Sequence, residues 1–236
     1  MPTVLVTGAN RGLGLEFTRQ YADAGWQVHA ACRVPGAAVE LDALSDAHPS
    51  ITVHPVDVSS TESIERLRED LEGEPVDVLL NNAGQFGPKR NEQNDPGQCF
   101  GTLDPSRWLD VMQVNALAPL LMAQAFVRNV SASEQKKVVT VSSELGSIAG
   151  TSGGLYAYRM SKAAVNMAMA SLACDLASQR VIVAMFCPGW VRTDMGGSQA
   201  PLAVERSVAE LRARIAALTL DDSGQFRLYD GSVLRW

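Results

Sequence analysis

The sequence predicts an α/β fold, a doubly wound parallel sheet of about seven strands with helices on both faces. The first observation behind this prediction is that short apolar runs alternate with longer helix-like runs along the 236 residues. The second is a glycine-rich turn directly after the first apolar run. The third is that several later apolar runs end in small polar residues, as strands do when their carboxyl ends form a ligand site.

The predicted strands are short apolar runs, too brief for helices and suited to a buried sheet. They cover residues 4–6, 27–31, 51–56, 76–80, 137–141, 181–186 and 226–229, the last with the weakest pattern. One predicted helix covers residues 15–24 and ends before Gly25, a common stop residue. Another begins where Asp104 precedes Pro105, an N-cap followed by proline at the first helical position, and runs through Phe126.

Length and composition predict one domain, residues 1–236. A content of 46% hydrophobic and 19% charged residues is ordinary for a globular protein with a large buried core. The formal net charge of -6 argues against a nucleic-acid partner, which requires a concentrated basic surface. No apolar stretch reaches the ~18 residues of a membrane span, and no basic leader precedes the first strand, so we expect a cytoplasmic protein without a membrane partner.

The four cysteines, Cys32, Cys99, Cys174 and Cys187, are widely separated in the sequence. They form no Cys-x-x-Cys pair and lie near no histidine at metal-ligand spacing, so we expect reduced, mostly buried thiols and no metal site. Two segments, 85–101 and 196–201, are predicted to be loops. Such loops would lie over the strand ends and shape a substrate pocket, although 85–101 could equally be a disordered surface insertion.

The glycine-rich turn after the first strand has the spacing Gly-x-x-x-Gly-x-Gly. Strand, turn and helix N-terminus together predict a site for a dinucleotide pyrophosphate, because free amide N–H groups and the helix dipole attract anions. A Cβ in the turn would hold the phosphates away from the backbone. The spacing differs from the usual Gly-x-Gly-x-x-Gly, so a tight turn without a ligand remains the alternative. The candidate cofactor residues of the turn are Gly8, Asn10, Arg11, Gly12, Leu13 and Gly14.

Three further predicted strands end in residues suited to a ligand, after runs 76–80, 137–141 and 181–186. Ligand sites of open parallel sheets lie at the carboxyl ends of the strands, so we expect these ends to form one site with the glycine turn. The candidate residues at these ends are Asn82, Ala83, Gly84, Ser143, Pro188, Gly189, Val191 and Thr193.

Tyr158 and Lys162 stand four residues apart in a helix-like segment, so their side chains should project from one face. A cation close to a phenol favours the phenolate, and we therefore expect Lys162 to lower the pKa of Tyr158. Such a tyrosine can act as a general acid or base. Tyr156 is a weaker candidate because Met160, four residues after it, carries no charge. Taken alone, the pair could also decorate a solvated helix face.

These motifs together resemble those of the short-chain dehydrogenase/reductase family, which are Thr-Gly-x-x-x-Gly-x-Gly, Asn-Asn-Ala-Gly, a serine and Tyr-x-x-x-Lys. The resemblance covers essentially the whole chain and implies a Rossmann-like fold and a nicotinamide-dependent oxidoreductase. Segments 153–162, 188–197 and 218–226 look like the branch that contains the bacterial C-factor signalling protein and the Sniffer-type carbonyl reductases.

The resemblance also implies roles for the candidate catalytic residues. Tyr158 would give a proton to the substrate oxygen, and Lys162 would lower its pKa and bind the nicotinamide ribose. Ser143, rather than Ser142, matches the serine that donates a hydrogen bond to the substrate oxygen. Asn115 matches the asparagine that holds a water linking Lys162 to solvent, although a core asparagine with purely structural bonds is the alternative.

The end of the second strand predicts the cofactor. A carboxylate there would accept from the ribose 2′-hydroxyl of NAD(H) and repel a 2′-phosphate, but this strand is followed by Arg33. Arg11 resembles a second basic position of NADP-preferring members. Two arginines suit a phosphate, so we predict NADP(H) over NAD(H). The alternative is that Arg33 is solvated and Arg11 pairs with a local carboxylate.

Other cofactor contacts follow from the resemblance alone. Asp57, followed by Val58, matches the aspartate that receives the adenine amino group, although Asp57 could equally be an N-cap for the next helix. The backbone of Val191 and the hydroxyl of Thr193 would approach the nicotinamide carboxamide.

Two functions are therefore predicted, in different classes. The first is an NADPH-dependent oxidoreductase that reduces an aldehyde, ketone or quinone to an alcohol, or runs the reverse reaction. The second is a C-factor-like dinucleotide-binding signalling or redox-sensing protein with incidental catalysis. Competent residues at all the catalytic positions favour the first.

Helices at 106–130 and 156–177 are rich in Ala, Met and Leu, and helices of this kind commonly pair in family dimers, so we expect a homodimer, possibly a tetramer.

Overall fold

The computed structural model describes residues 1–87 and 98–236 and contains one parallel sheet of seven strands. Their order across the sheet is β3-β2-β1-β4-β5-β6-β7, and every neighbouring pair is parallel. The predicted fold class is confirmed. The strands are β1 (Thr3–Thr7), β2 (Gln27–Cys32), β3 (Ile51–Pro55), β4 (Val78–Asn81), β5 (Lys137–Val141), β6 (Ile182–Cys187) and β7 (Phe226–Leu228).

Helices cover both faces of the sheet, as the binary pattern predicts. On one face the core includes Phe17 of α1 and Leu41 of α2, and on the other it includes Phe126 of α5 and Met169 of α6. All four side chains are fully buried. The helices are α1 (Gly12–Asp23), α2 (Val39–Ala47), α3 (Thr61–Asp70), α4 (Pro105–Met112), α5 (Ala118–Ala132), α6 (Tyr156–Asp175) and α7 (Val204–Ala217).

Two predicted elements, the fourth strand and the long helix after Asp104, differ from the structure. The fourth strand begins at Val78 and not at residue 76, and just before it the Asp77 carboxylate accepts hydrogen bonds from Thr3 N and Gln135 N. The helix predicted from Asp104 is capped as expected, with the Asp104 side chain accepting from Ser106 N. Its course is interrupted by a π-helical turn, Gln113–Leu117, which joins α4 to α5.

The composite helix Pro105–Ala132 is long and apolar enough to cross a membrane by length and composition, the one such helix in the described part of the chain. It corrects the expectation that nothing apolar reaches that length. Here Met122, Phe126 and Val130 are buried in the core against the sheet, which accounts for the apolar composition.

The predicted loops and cysteines have mixed outcomes. Segment 196–201 is irregular, as expected. Of segment 85–101, residues 88–97 lie outside the described residues, and the two flanks carry no helix or strand. Cys32 and Cys187 are buried, but Cys99 and Cys174 are exposed, so the expectation of mostly buried thiols holds for only two of the four.

Strand order determines where a ligand can bind. The chain runs from β1 outward through β2 to β3 and then returns to place β4 on the other side of β1. Between β1 and β4 the direction of winding reverses, and in open α/β sheets the crevice outside the carboxyl ends of such strands binds the ligand. The glycine turn follows β1 and the Asn82 to Gly84 segment follows β4, so both predicted motifs lie at this crevice.

Candidate active site

The glycine turn packs against the segment after β4 so closely that side chains are excluded. A Cβ on Gly14 would lie 2.1 Å from Gly8 O and 2.6 Å from Asn82 Nδ2. Gly8 has φ +66°, and a Cβ there would lie 2.9 Å from Ala83 Cα. Glycine at these two positions is therefore required by the packing of the turn, whether or not phosphate binds. Helix α1 begins within the turn, at Gly12, and no side chain caps its first N–H groups.

Thr7 and Asn82 join the two motifs. The Thr7 hydroxyl accepts hydrogen bonds from Asn82 N at 3.1 Å and Ala83 N at 3.0 Å, while Asn82 Nδ2 donates to Thr7 O at 2.9 Å and Gly8 O at 3.2 Å. The predicted cofactor residues Asn82 and Ala83 are thus held rigidly against the turn. Thr7 was missed as a site residue, although its place at the end of β1 was a signal that could have identified it.

The far wall of the crevice meets the glycine turn at Arg11 and Gly12. Arg11 Nη1 lies 2.9 Å from Asp194 Oδ2, with both side chains largely exposed, and a Cβ on Gly12 would lie 3.4 Å from Thr193 Cγ2. The segment after β6 is itself a tight turn in which Gly196 N donates to Thr193 Oγ1 at 3.2 Å. Arg11 therefore pairs with a carboxylate, as the alternative interpretation of this residue had it.

Arg33 and Asp57 lie at the β2–β3 end of the crevice. Arg33 is exposed, and its positive charge is one of the influences on Asp57. The main one is the Ser59 hydroxyl, which donates to Asp57 Oδ1 at 2.6 Å; together these interactions lower the pKa of Asp57. The alternative role of Asp57 as an N-cap is wrong, because Ser60 caps α3 by accepting from Ser63 N. Val58, the next residue, is buried.

Tyr158 and Lys162 lie one turn apart in α6 and both are buried, with 8% and 5% of their surfaces exposed. Lys162 Nζ donates to Val141 O, at the end of β5, at 2.9 Å and lies 5.8 Å from the centre of the Tyr158 ring. A Cβ on Gly84 would lie 3.8 Å from the same Nζ, so the segment after β4 borders the lysine. The alternative of a solvated helix face is wrong, and the pair lies at the carboxyl ends of β4 and β5.

The expectation that Lys162 lowers the pKa of Tyr158 is not met in this structure. Burial raises the pKa of Tyr158 to about 12, and a hydrogen bond with Ser143 opposes this only in part. Burial also lowers the pKa of Lys162 to about 8. The sequence argument considered the neighbouring charge but not the loss of water around both groups, and here desolvation is the larger effect.

The serines follow the prediction. The Ser142 hydroxyl is directed away from the crevice and donates to Asn166 Oδ1 at 2.6 Å. Ser143, the next residue, faces the phenol of Tyr158 closely enough to lower its pKa, and its hydroxyl accepts from Leu145 N at 3.2 Å. The alternation of a strand thus places only one of the two hydroxyls beside the tyrosine.

Asn115 lies in the π-helical turn and is 1% exposed. Its Oδ1 accepts from Gln85 N at 2.8 Å, and its Nδ2 donates to Gln85 O at 2.7 Å and Ser161 Oγ at 3.0 Å. The side chain therefore has the structural bonds of the alternative interpretation, and it fixes the start of the loop after β4 against α6. The predicted water relay stays a prediction.

The remaining predicted contacts lie in the segment after β6. The Pro188 carbonyl accepts from Ser207 Oγ at 2.7 Å, which ties this segment to α7. Gly189 has φ +81°, and a Cβ there would lie 3.0 Å from Leu202 and Tyr229. Val191 is buried and pairs with Leu202 in an isolated bridge.

Two residues beside Tyr158 were missed by sequence reasoning. The Phe86 ring centre lies 4.8 Å from that of Tyr158, with the planes inclined by 36°. Gln98 Oε1 accepts from Tyr158 N at 3.0 Å. Neither belongs to a recognisable motif, and Gln98 precedes Tyr158 by 60 positions.

Comparison with known proteins agrees with this geometry. The family model described as short chain dehydrogenase matches residues 2–201, which include the glycine turn, Asn82, Ser143, Tyr158 and Lys162. The chain belongs to the short-chain dehydrogenase family. It is an oxidoreductase of that family, and the predicted resemblance is confirmed. The C-signal protein of Myxococcus xanthus is 39% identical over 163 residues, which are 69% of this chain and 93% of that protein.

Solved structures of carbonyl reductases match the whole fold. The carbonyl reductase Sniffer of D. melanogaster is 34% identical with a TM-score of 0.90, and each chain is covered completely. The NADPH-bound carbonyl reductase from chicken fatty liver is 31% identical with a TM-score of 0.89, covering 100% of this chain and 99% of that one. This short-chain dehydrogenase therefore has carbonyl reductases among its structural neighbours.

Proposed function

We propose that this short-chain dehydrogenase is an NADPH-dependent carbonyl reductase that reduces an aldehyde, ketone or quinone, or oxidises the corresponding alcohol. The observation that carries the proposal is the group formed by the buried Tyr158 and Lys162 and the half-buried Ser143 at the carboxyl ends of β4 and β5. Buried donors with fixed bonds can stabilise charge that develops on a substrate oxygen better than solvated ones.

The residues of the crevice fit a dinucleotide. The glycine turn leads into the N-terminus of α1, where no side chain caps the helix and the first N–H groups can bind a pyrophosphate. Arg33 and Arg11 are exposed cations at the adenosine end, where a 2′-phosphate would carry a charge near -2. The NADPH bound in the chicken carbonyl reductase supports the same cofactor here. When bound, the cofactor supplies a hydride to the carbonyl carbon.

Tyr158 gives the proton that balances this hydride. Its raised pKa keeps the phenol protonated at neutral pH, which suits a proton donor, and Ser143 hydrogen-bonds the same oxygen region. Lys162, beside Gly84, approaches the nicotinamide ribose and places a positive charge near the phenolate that forms. The phenol therefore stays protonated until the substrate oxygen takes its proton, and the charge of Lys162 then stabilises the phenolate.

Turnover of a substrate panel tests the proposal. Purified protein is assayed for oxidation of NADPH, and separately of NADH, by aliphatic aldehydes, aryl ketones and quinones. We expect at least one class to give steady turnover with NADPH and lower kcat/KM with NADH. Absence of turnover with every class, in protein that still binds NADPH, would contradict the proposal.

That last outcome would favour a second candidate, a dinucleotide-binding signalling or redox-sensing protein. The specific observation behind it is the similarity to the C-signal protein. Against it, a protein that only binds the dinucleotide has no need of a proton donor buried beside a serine and a lysine.

We also propose that the protein is a homodimer. Exposed apolar side chains are found on α4 at Leu109, in the π-helical turn at Leu117 and on α6 at Met160 and Met167. Exposed apolar surface of this kind is stabilised by contact with a second copy. Sedimentation of wild type beside Met167→Glu tests this, since a charge in the interface should shift the protein to the monomer.

A further inference from the structure

The catalytic helix α6 begins without a cap of its own. Its N-cap residue, Leu155, has no side-chain oxygen and adopts a left-handed conformation with φ +50°. The first N–H groups of a helix need partners from outside the helix, and a buried one without a partner is costly. Tyr158 lies in this first turn, so whatever binds these N–H groups also fixes the backbone that carries the proton donor.

Gln98 supplies the missing cap from the loop after β4. Its carbonyl accepts from Tyr156 N at 3.1 Å, and its side-chain Oε1 accepts from Tyr158 N at 3.0 Å. The side chain is buried, with 1% of the residue surface exposed. A buried amide with these bonds has one orientation, so it holds the first turn of α6 in one place.

The nitrogen of the same Gln98 amide binds the opposite wall of the site, at Phe86. Gln98 Nε2 donates to Phe86 O at 2.8 Å, and the Phe86 ring lies 4.8 Å from the Tyr158 ring. A primary amide offers a donor and an acceptor on separate atoms of one side chain. Glutamate would keep the acceptor for Tyr158 N and lose the donor to Phe86 O, while methionine would lose both.

We propose that Gln98 is a positioning residue of the reductase site, which joins the aromatic wall at Phe86 to the backbone of Tyr158 and holds the two in one relative placement. The inference rests on the proposed function, because it assumes that Tyr158 transfers a proton. Gln98 acts through Tyr158 and Phe86. Its loss should therefore affect the alignment of the phenol and not the binding of the dinucleotide.

The test compares Gln98→Met and Gln98→Glu with wild type. We expect Gln98→Met to lower kcat/KM for the carbonyl substrate by about 100-fold, mostly through kcat, because a misplacement near 1 Å has effects of this size. NADPH affinity should stay the same. Gln98→Glu keeps the acceptor for Tyr158 N but loses the donor to Phe86 O, so it should recover only part of kcat. Its carboxylate should also move the pH profile of kcat/KM to higher pH, since a negative charge near Tyr158 disfavours the phenolate.

Asn129→Leu is the matched control. Asn129 is also a buried amide that bonds two backbone carbonyls, Leu71 O at 2.7 Å and Glu74 O at 2.8 Å, but it lies in α5 away from Tyr158. The variant Asn129→Leu should lower the melting temperature, as we also expect of Gln98→Met, and should leave kcat/KM and its pH profile unchanged.

The inference is overturned if Gln98→Met keeps kcat/KM near that of wild type, or if Asn129→Leu reproduces its loss. Should Gln98→Met not fold, Gln98→Glu decides, and wild-type kcat in that variant overturns the inference. Failure of the proposed function is distinguishable, since it would appear as absence of turnover in the unaltered protein or as undiminished turnover in Tyr158→Phe, whatever the Gln98 variants do.

Discussion

The two ends of the crevice are built differently. At the β4–β5 end, Tyr158, Lys162 and Asn115 are buried, and the structure gives each of them hydrogen-bond partners in the protein. At the β2 end Arg33 is exposed, and at the glycine turn after β1 the Arg11 side chain, 66% exposed, is paired with Asp194. One end is rigid and desolvated, and the other is solvated.

The difference corresponds to two kinds of chemistry. Proton transfer is accelerated by groups that are already oriented in a low-dielectric site, because they need no rearrangement during the reaction. A phosphate can be held by exposed arginines, whose planar guanidinium groups form bidentate bonds after the ligand arrives. We therefore expect substitutions at the buried end to change kcat and substitutions at the exposed end to change cofactor affinity.

The largest expected effect is that of Tyr158→Phe. It removes the transferable proton and leaves the ring, so kcat should fall by about 10³-fold with NADPH affinity retained. Tyr156→Phe is the matched control, because that tyrosine is in the same helical turn and only half-buried. Steady-state kinetics and NADPH titration of both variants are the measurements. Equal activity in Tyr158→Phe and Tyr156→Phe would mean that Tyr158 is not the proton donor and that the buried end of the crevice is not a catalytic site.

Lys162 should make stability depend on pH. Burial lowers its pKa to about 8 in the folded protein from the ordinary 10.5, so between these values the unfolded chain binds the proton and the folded protein does not. The free energy of unfolding should therefore rise with pH across this window, by on the order of 3 kcal/mol for this group. The measurement is the free energy of unfolding in urea of wild type and Lys162→Met, each at pH 8 and pH 10.5. An equal change between the two pH values in both proteins would show that Lys162 contributes nothing to the pH dependence.

At the exposed end, Arg33→Ala should act on the cofactor alone. Loss of charged hydrogen bonds to the 2′-phosphate should raise KM for NADPH by about 30-fold and leave KM for NADH within about twofold. Arg128→Ala, an exposed arginine near the end of α5, is the control. If KM rises equally for both cofactors, or if wild type prefers NADH, Arg33 does not select the phosphate.

The fold and most site positions could be predicted from the sequence because their signals are local. Short apolar runs identified all seven strands, and the site residues at the ends of β1, β4, β5 and β6 directly follow those strands in the sequence. Asp104 at the start of α4 is a similar local signal, because its side chain caps residues two and three positions later. Elements of this kind are specified within a few residues.

What could not be predicted depends on distant contacts or on burial. Gln98 caps α6 from 60 positions away, and nothing in the local sequence indicates that contact. The pKa of Tyr158 was expected to fall because the neighbouring lysine was visible in the sequence, while the surrounding core that raises it was not. Likewise the partners of Asn115, Gln85 and Ser161, lie 30 positions before it and 46 after it, and the local sequence does not indicate them.

The smallest expected effect concerns the pair of Arg11 and Asp194, which lies across the crevice in the exposed end. An exposed ion pair of this kind contributes little to stability, but it occupies a cation that the proposed 2′-phosphate would use. Asp194→Asn should therefore strengthen NADPH binding by about twofold and leave the melting temperature and NADH binding unchanged. Fluorescence titration with both cofactors measures this. A weaker NADPH affinity in Asp194→Asn would mean that Asp194 orients Arg11 for the phosphate and does not compete with it.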